Sequence, residues 1–166
     1  MPTLIVTDAN ILIDLSIIER HDLLFLPDWS TSTTYDVFYE LRNSQQLSWQ
    51  PYIDNGNLTL EEVPEELISQ MRSDVSARLS DPDCTVLVLA ELKQAIILSG
   101  DQPIVKAFRN RGKEAHGILW LLDQNELAQR YAPEELHTFL SAIIKINDWL
   151  PIKECQSRLR RWGGGI

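Results

Sequence analysis

Short apolar runs alternate with amphipathic stretches along the chain. Leu4-Ile5-Val6 is an apolar triplet that stops at Thr7-Asp8, the pattern of a buried parallel strand. Ile11, Leu12, Leu15 and Ile18 follow at helical spacing, so Asp8 stands where a strand hands over to a helix. Ser30 to Thr33 reads as a short second strand, and Thr34 to Arg42 as a helix with Val37, Phe38 and Leu41 on one side. Leu58 to Val63 alternates apolar and polar positions, which predicts a third strand. Pro64 then opens a helix whose stripe is Leu67, Met71, Val75 and Leu79. A further helix starts near Ser80-Asp81-Pro82-Asp83 and carries Val86, Leu87, Leu89 and Ala90. Ala95 to Leu98 is the clearest buried strand and ends in Ser99-Gly100-Asp101. Helices over 102–110 and 118–129, with a short strand near 114–116 between them, complete the alternation. Beyond about residue 133 the pattern is helical, broken at Pro151, with Gly163 to Gly165 fraying at the end.

Repeated strand–helix units predict a three-layer α/β/α fold around a central parallel sheet, with extra C-terminal helices. The 166 residues suffice for one hydrophobic core. We divide the chain into a body over 1–130 and a helical extension over 131–166 packed on it.

Open parallel sheets bind ligands beyond the carboxyl ends of their strands. Asp8 and Asp101 both fall at such ends, and two neighbouring anions repel unless a cation offsets them. Asp83 at a helix start and Glu40 on the helix after the second strand can reach the same rim. All-oxygen ligands suit a hard divalent cation such as Mg²⁺ or Mn²⁺. Each residue also has a purely structural role open to it. Asp8 and Asp101 can be N-caps, Ser80 and Asp83 have capping-box spacing, and Glu40 lies one helical turn from Asp36. Asp81 competes with Asp83 for the third acidic position.

The segment Leu4-Ile5-Val6-Thr7-Asp8-Ala9-Asn10-Ile11-Leu12-Ile13-Asp14 resembles the opening strand and turn of PIN-domain ribonucleases. Thr34-Tyr35-Asp36-Val37-Phe38-Tyr39-Glu40-Leu41 is similar to the family's glutamate-bearing helix. Asp81-Pro82-Asp83 and Ile96-Ile97-Leu98-Ser99-Gly100-Asp101 match its third and fourth acidic positions, and His116 to Leu122 resembles the segment after the last strand in toxin-like members. The resemblance covers residues 1–125. It implies a Mg²⁺- or Mn²⁺-dependent endoribonuclease with Asp8, Glu40, Asp83 and Asp101 as its acidic quartet. Asp8, Asp83 and Asp101 would touch the metal, with Asn10 and Ser99 orienting them. It also implies an RNA substrate, a homodimer and, as in VapC-type toxins, an antitoxin partner. The alternative is a PIN-like module that binds RNA or protein without catalysis.

Net charge is −9 but unevenly spread: residues 1–105 hold 5 Lys/Arg against 17 Asp/Glu, and residues 106–166 hold 10 against 7. The basic remainder, including Lys106, Arg109, Arg111, Lys113, Arg158, Arg160 and Arg161, is a candidate phosphate-facing surface, with Trp162 as a stacking partner. Cys84 and Cys155 lack CxxC spacing, and His21, His116 and His137 lack zinc-ligand spacing. No apolar run approaches the roughly 18 residues of a membrane span. Met1 to Thr7 lack the basic start of a secretory signal, so a cytoplasmic protein with reduced thiols is expected. Other phosphate-handling folds fit poorly. There is no GxxxxGK[ST], and Asp8-Ala9-Asn10-Ile11-Leu12 departs from the Asp-x-Asp-x-Thr of haloacid dehalogenases.

Overall fold

The apolar triplet near the start of the chain forms the middle of a sheet, where Ile5 and Val6 are fully buried. In the computed structural model, which describes residues 1–163, five strands pair in the order β3-β2-β1-β4-β5. They are β1 (Thr3–Thr7), β2 (Trp29–Thr34), β3 (Leu58–Glu61), β4 (Ile96–Leu98) and β5 (Ala115–His116). All pairings are parallel. The chain builds outward from β1 through β2 to β3, then returns to lay β4 on the other side of β1. That reversal opens a crevice between the ends of β1 and β4. There Thr7 pairs with Leu98, and the Asp8 amide donates to the Leu98 carbonyl at 2.9 Å.

Nine α-helices among the described residues cover the sheet: α1 (Ala9–Ile17), α2 (Tyr35–Glu40), α3 (Asn43–Asp54), α4 (Glu65–Asp74), α5 (Asp81–Lys93), α6 (Gln102–Asn110), α7 (Ile118–Leu127), α8 (Pro133–Ile146) and α9 (Ile152–Trp162). A 3₁₀ turn spans His21–Leu24. The result is the expected three-layer α/β/α arrangement. Helix α5 lies across β1, β2 and β4 and is flanked by α2, α4 and α6. Its seven consecutive residues Cys84 to Ala90 are buried, which explains an apolar run with no polar face.

Several boundaries differ from the sequence reading. Thr34 ends β2 instead of opening a helix, and its hydroxyl accepts from the Val37 amide to start α2, which stops at Glu40. Helix α3 went unpredicted because only Trp49 along it is buried, so no apolar period marks it. The Trp49 indole donates to the Leu12 carbonyl at 3.1 Å, and this one anchor fixes α3 against α1. Strand β3 ends at Glu61, not Val63, and Pro64 is the residue before α4. Helix α4 ends at Asp74 because Arg72 reaches the Leu79 carbonyl and Asp81, folding residues 75–80 back. Leu79 is buried, but not as part of that helix.

The C-terminal helices pack onto α7. Leu136, Phe139, Leu140 and Ile143 of α8 are buried. The helical pattern breaks at Asn147, four residues before Pro151, and the Asn147 amide group donates to Asp14 Oδ2 at 2.8 Å. Helix α9 is clasped through charge. Arg158 pairs with Asp123 at 2.6 Å, and Arg161 pairs with Asp123 and Glu126. Trp162, the candidate stacking partner, is 1% exposed and its indole donates to Glu126 at 2.5 Å. Gly163 ends α9 as a turn, whereas Gly164 and Gly165 lie outside the described residues. Removing a fully packed tryptophan leaves a cavity, so Trp162→Ala should lower the unfolding free energy by about 3–5 kcal/mol. Urea titration checks this, and an unchanged midpoint would mean that α9 adds nothing to the folded body.

Candidate active site

Three of the four acidic residues singled out in the sequence meet at the crevice. Asp8, Asp83 and Asp101 each offer an oxygen, and those oxygens lie within 4.8 Å of one another. Asp8 is buried, and the other two are half-buried. Asp8 and Asp101 do occupy N-cap positions, but neither side chain makes a capping hydrogen bond. Capping therefore does not account for them. Asp83 has both roles open: Oδ2 accepts from the Ser80 amide at 2.8 Å in a complete capping box, and the carboxyl still reaches the cluster. Asp81, its rival, is turned out to solvent and paired with Arg72.

Asn10 and Ser99 stand against Asp8 as expected of orienting groups. The Ser99 hydroxyl donates to Asp8 Oδ2 at 2.9 Å, and the Asn10 amide donates to the same oxygen at 3.1 Å. Neither bond uses Oδ1. Ser99 Oγ also accepts from the Asp101 amide at 3.0 Å, and Asn10 Oδ1 accepts from the Gly100 amide at 2.7 Å. The two side chains thus stitch the β1 turn to the β4 turn. Gly100 suits this close approach, because a Cβ there would sit 3.3 Å from Asn10 Oδ1.

Glu40 is exposed at the end of α2 and is not one of the three clustered groups. Burial, then the charges of Asp83 and Asp36, raise its pKa above the ordinary glutamate value. Asp83 is therefore its electrostatic neighbour.

Hydroxyl groups tie these elements together, and the sequence reading passed over them. Thr31, Ser32, Thr33 and Thr34 of β2 are all buried. Thr33 Oγ1 donates to the Thr7 carbonyl at 2.7 Å, beside Asp8. Thr34 Oγ1 lies 2.9 Å from Thr85 Oγ1, and Thr85 donates its proton to the Pro82 carbonyl at 2.6 Å. A carbonyl only accepts, so Thr34 must supply the proton between the hydroxyls. The relay runs Val37 N–H, Thr34, Thr85, Pro82 carbonyl, and joins the helix of Glu40 to the start of the helix of Asp83. The signal was present as an unusually hydroxyl-rich strand, Ser30-Thr31-Ser32-Thr33-Thr34.

Much of the expected basic surface is committed within the fold. Arg109 donates to the Ala115 carbonyl at 2.7 Å, Arg111 pairs with Glu91 and Asp74, and Arg158 and Arg161 hold α9. Arg78 and Lys106 line a surface groove that shares Gln102 with the cavity beside Asn10 and Ser99.

The donor set fits a hard divalent cation: three carboxylates, with supporting hydrogen bonds on two of them, Asp8 and Asp83. Without a cation the arrangement is costly. Burial pushes the Asp8 carboxyl up to about 6, with Asp83 and Asp101 adding to the rise and the Ala9 amide and Ser99 hydroxyl opposing it. Burial, then Asp83, also raises Asp101.

A carboxyl whose pKa is higher folded than unfolded binds more protons in the native state, so stability falls as pH rises between the two values. Metal-free protein should lose stability from about pH 4 to the Asp8 value of about 6. The Asp8 contribution is on the order of 3 kcal/mol. Urea titrations in chelator across that range check it, and the slope should shrink in Asp8→Asn.

The comparison with known proteins agrees with the geometry. No curated protein matches the chain significantly. A family model described as a PIN domain matches residues 4–164, from within β1 past the end of α9. A match over nearly the whole chain, on a parallel sheet with acidic groups gathered at its switch point, assigns the protein to the PIN-domain family, a family of nuclease-type enzymes.

Proposed function

We propose that this protein is a metal-dependent endoribonuclease. The observation that carries the reading is the convergence of Asp8, Asp83 and Asp101, two of which decline the capping role open to them. These three would hold Mg²⁺ or Mn²⁺. When bound, the ion supplies Lewis-acid stabilisation of phosphate charge and a water of lowered pKa.

The protein's own groups do the rest. Ser99 and Asn10 hold Asp8 in place through two hydrogen bonds to Oδ2. Glu40, outside the cluster and an electrostatic neighbour of Asp83, would act on the site through water. The water oxygen bonds to phosphorus, the P–O3′ bond breaks, and a proton from the water passes to the departing 3′ oxygen, leaving a 5′-phosphate and a 3′-hydroxyl. Arg78 and Lys106 support the phosphate backbone along their groove.

The biological role we infer is the toxin of a toxin–antitoxin pair acting in the cytoplasm. Two buried, unpaired cysteines and the lack, among the described residues, of any helix fit to cross a membrane are compatible with that setting. An antitoxin Arg or Lys would neutralise the acidic cluster. The exposed apolar side chains Ile17 and Ile146, which line one surface cleft, support self-association as a homodimer.

Asp8→Asn should remove most Mn²⁺-dependent cleavage of single-stranded RNA, a loss of about 100-fold or more by analogy with other charge-stabilising groups. Circular dichroism should show the fold retained. Wild-type rates in that variant would defeat the assignment, and a wild type that binds no Mn²⁺ by calorimetry would favour a non-catalytic module. Co-purification with a small protein encoded beside it would support the toxin role, and light scattering tests the dimer.

A further inference from the structure

The acidic cluster occupies only one side of the crevice. Beyond Asn10, Ser99 and Gly100 a cavity of about 500 Å³ continues toward the start of α7 and the 147–151 segment. Its lining is unlike that of the metal cluster. His116 and Trp120 are stacked, with ring centroids 4.2 Å apart and planes 9° from parallel. Trp120 is backed in turn by Trp29 at 5.7 Å and 17°. The C-terminal segment brings Trp149 to the same cavity, and Trp149 is 93% exposed.

A polar pair lies among these rings. Asp14 also lines the cavity, although only 9% of it is exposed. Its Oδ2 accepts from Asn147, and no protein group donates to its Oδ1 among the hydrogen bonds of the described residues. Asn147 Oδ1 accepts from the Trp149 amide at 3.0 Å, so the pair also sets the backbone of the exposed tryptophan. Asp14 Oδ1 is not among the buried unpartnered side-chain atoms of the described residues, so solvent or a ligand donor can reach it. The mechanism proposed above uses none of these groups.

We infer that this cavity is a nucleobase subsite for the RNA residue next to the scissile phosphate. Flat rings supply stacking that every base can use. The Asp14 carboxylate accepts from an exocyclic amino group, which adenine, cytosine and guanine carry and uracil, with only its ring N–H to donate, lacks. Asn10 and Ser99, which hold Asp8, also line this cavity, so it opens beside the acidic cluster. The inference rests on the nuclease reading for its substrate, but binding in the cavity can be measured without cleavage.

The test uses the full chain and four probes, the 5′-monophosphates of adenosine, guanosine, cytidine and uridine. Indole N–H signals are followed by NMR in chelator. Amino-bearing nucleotides should shift the Trp120 and Trp149 signals, with uridine monophosphate weakest. Trp149→Ala, at an exposed position that packing does not require, should weaken binding by about 5- to 100-fold, and His116→Ala should do the same. Asp14→Asn should flatten the discrimination against uridine. Shifts that persist in Asp8→Asn support the subsite even where no cleavage is found, so the two readings can fail separately. No shift with any nucleotide, or shifts indifferent to both Trp149→Ala and His116→Ala, would overturn the inference. So would a doubled mass in light scattering that Trp149→Ala abolishes, since Trp149 would then serve a second copy of the chain.

Discussion

Mutual repulsion among Asp8, Asp83 and Asp101 is the constraint around which the rest of the molecule is arranged. Three carboxyl groups are brought within 4.8 Å by segments far apart in the chain. Parallel pairing of β1 with β4 brings two of them to adjacent turns, and α5, buried across the sheet, brings the third. Such an assembly is maintained by the packing of α5 and the strands, not by the acidic groups themselves. Burial first, with the charges of Asp83 and Asp101 adding to it, leaves a carboxyl on Asp8 that resists ionisation. A bound cation would offset that cost.

The surrounding polar groups are satisfied by one another. Buried hydroxyls on β2 would weaken a central strand if left unpaired. Here Thr33 serves the carbonyl preceding Asp8, while Thr34 and Thr85 bridge two helix starts. The same groups that keep β2 soluble in the interior thus fix the spacing between the helices of Glu40 and Asp83. Structure and site share one hydrogen-bond network.

The layers and the parallel sheet were legible because β1, β4 and α5 carry strong apolar patterns that depend little on context. Asp8, Asp83 and Asp101 were legible as a group because strand ends in such sheets face a common crevice. Helix α3 was not, since a single buried tryptophan leaves no period to detect. Nor was the fate of Trp162 and its arginines. A cluster of cations beside an aromatic ring reads as a binding surface until its partners, Asp123 and Glu126, are seen some 35 residues earlier in the chain. Asp81 and Asp83 were indistinguishable by spacing, and Arg72 separates them by claiming the first. Family membership extends over the C-terminal helices as well, beyond the segment that carries the sequence resemblance.

Gly100 is exposed and holds no ligand, yet its lack of a side chain has leverage. Asn10 Oδ1 sits on its amide, and the other end of the same side chain holds Asp8. A methyl group added at position 100 would press first on that carboxamide, 3.3 Å away, and ask it to shift by a few tenths of an ångström. The outermost residue of the turn thereby acts as a gauge. Its smallness sets how closely the turn after β4 approaches Asn10, and through Asn10 how Asp8 is held.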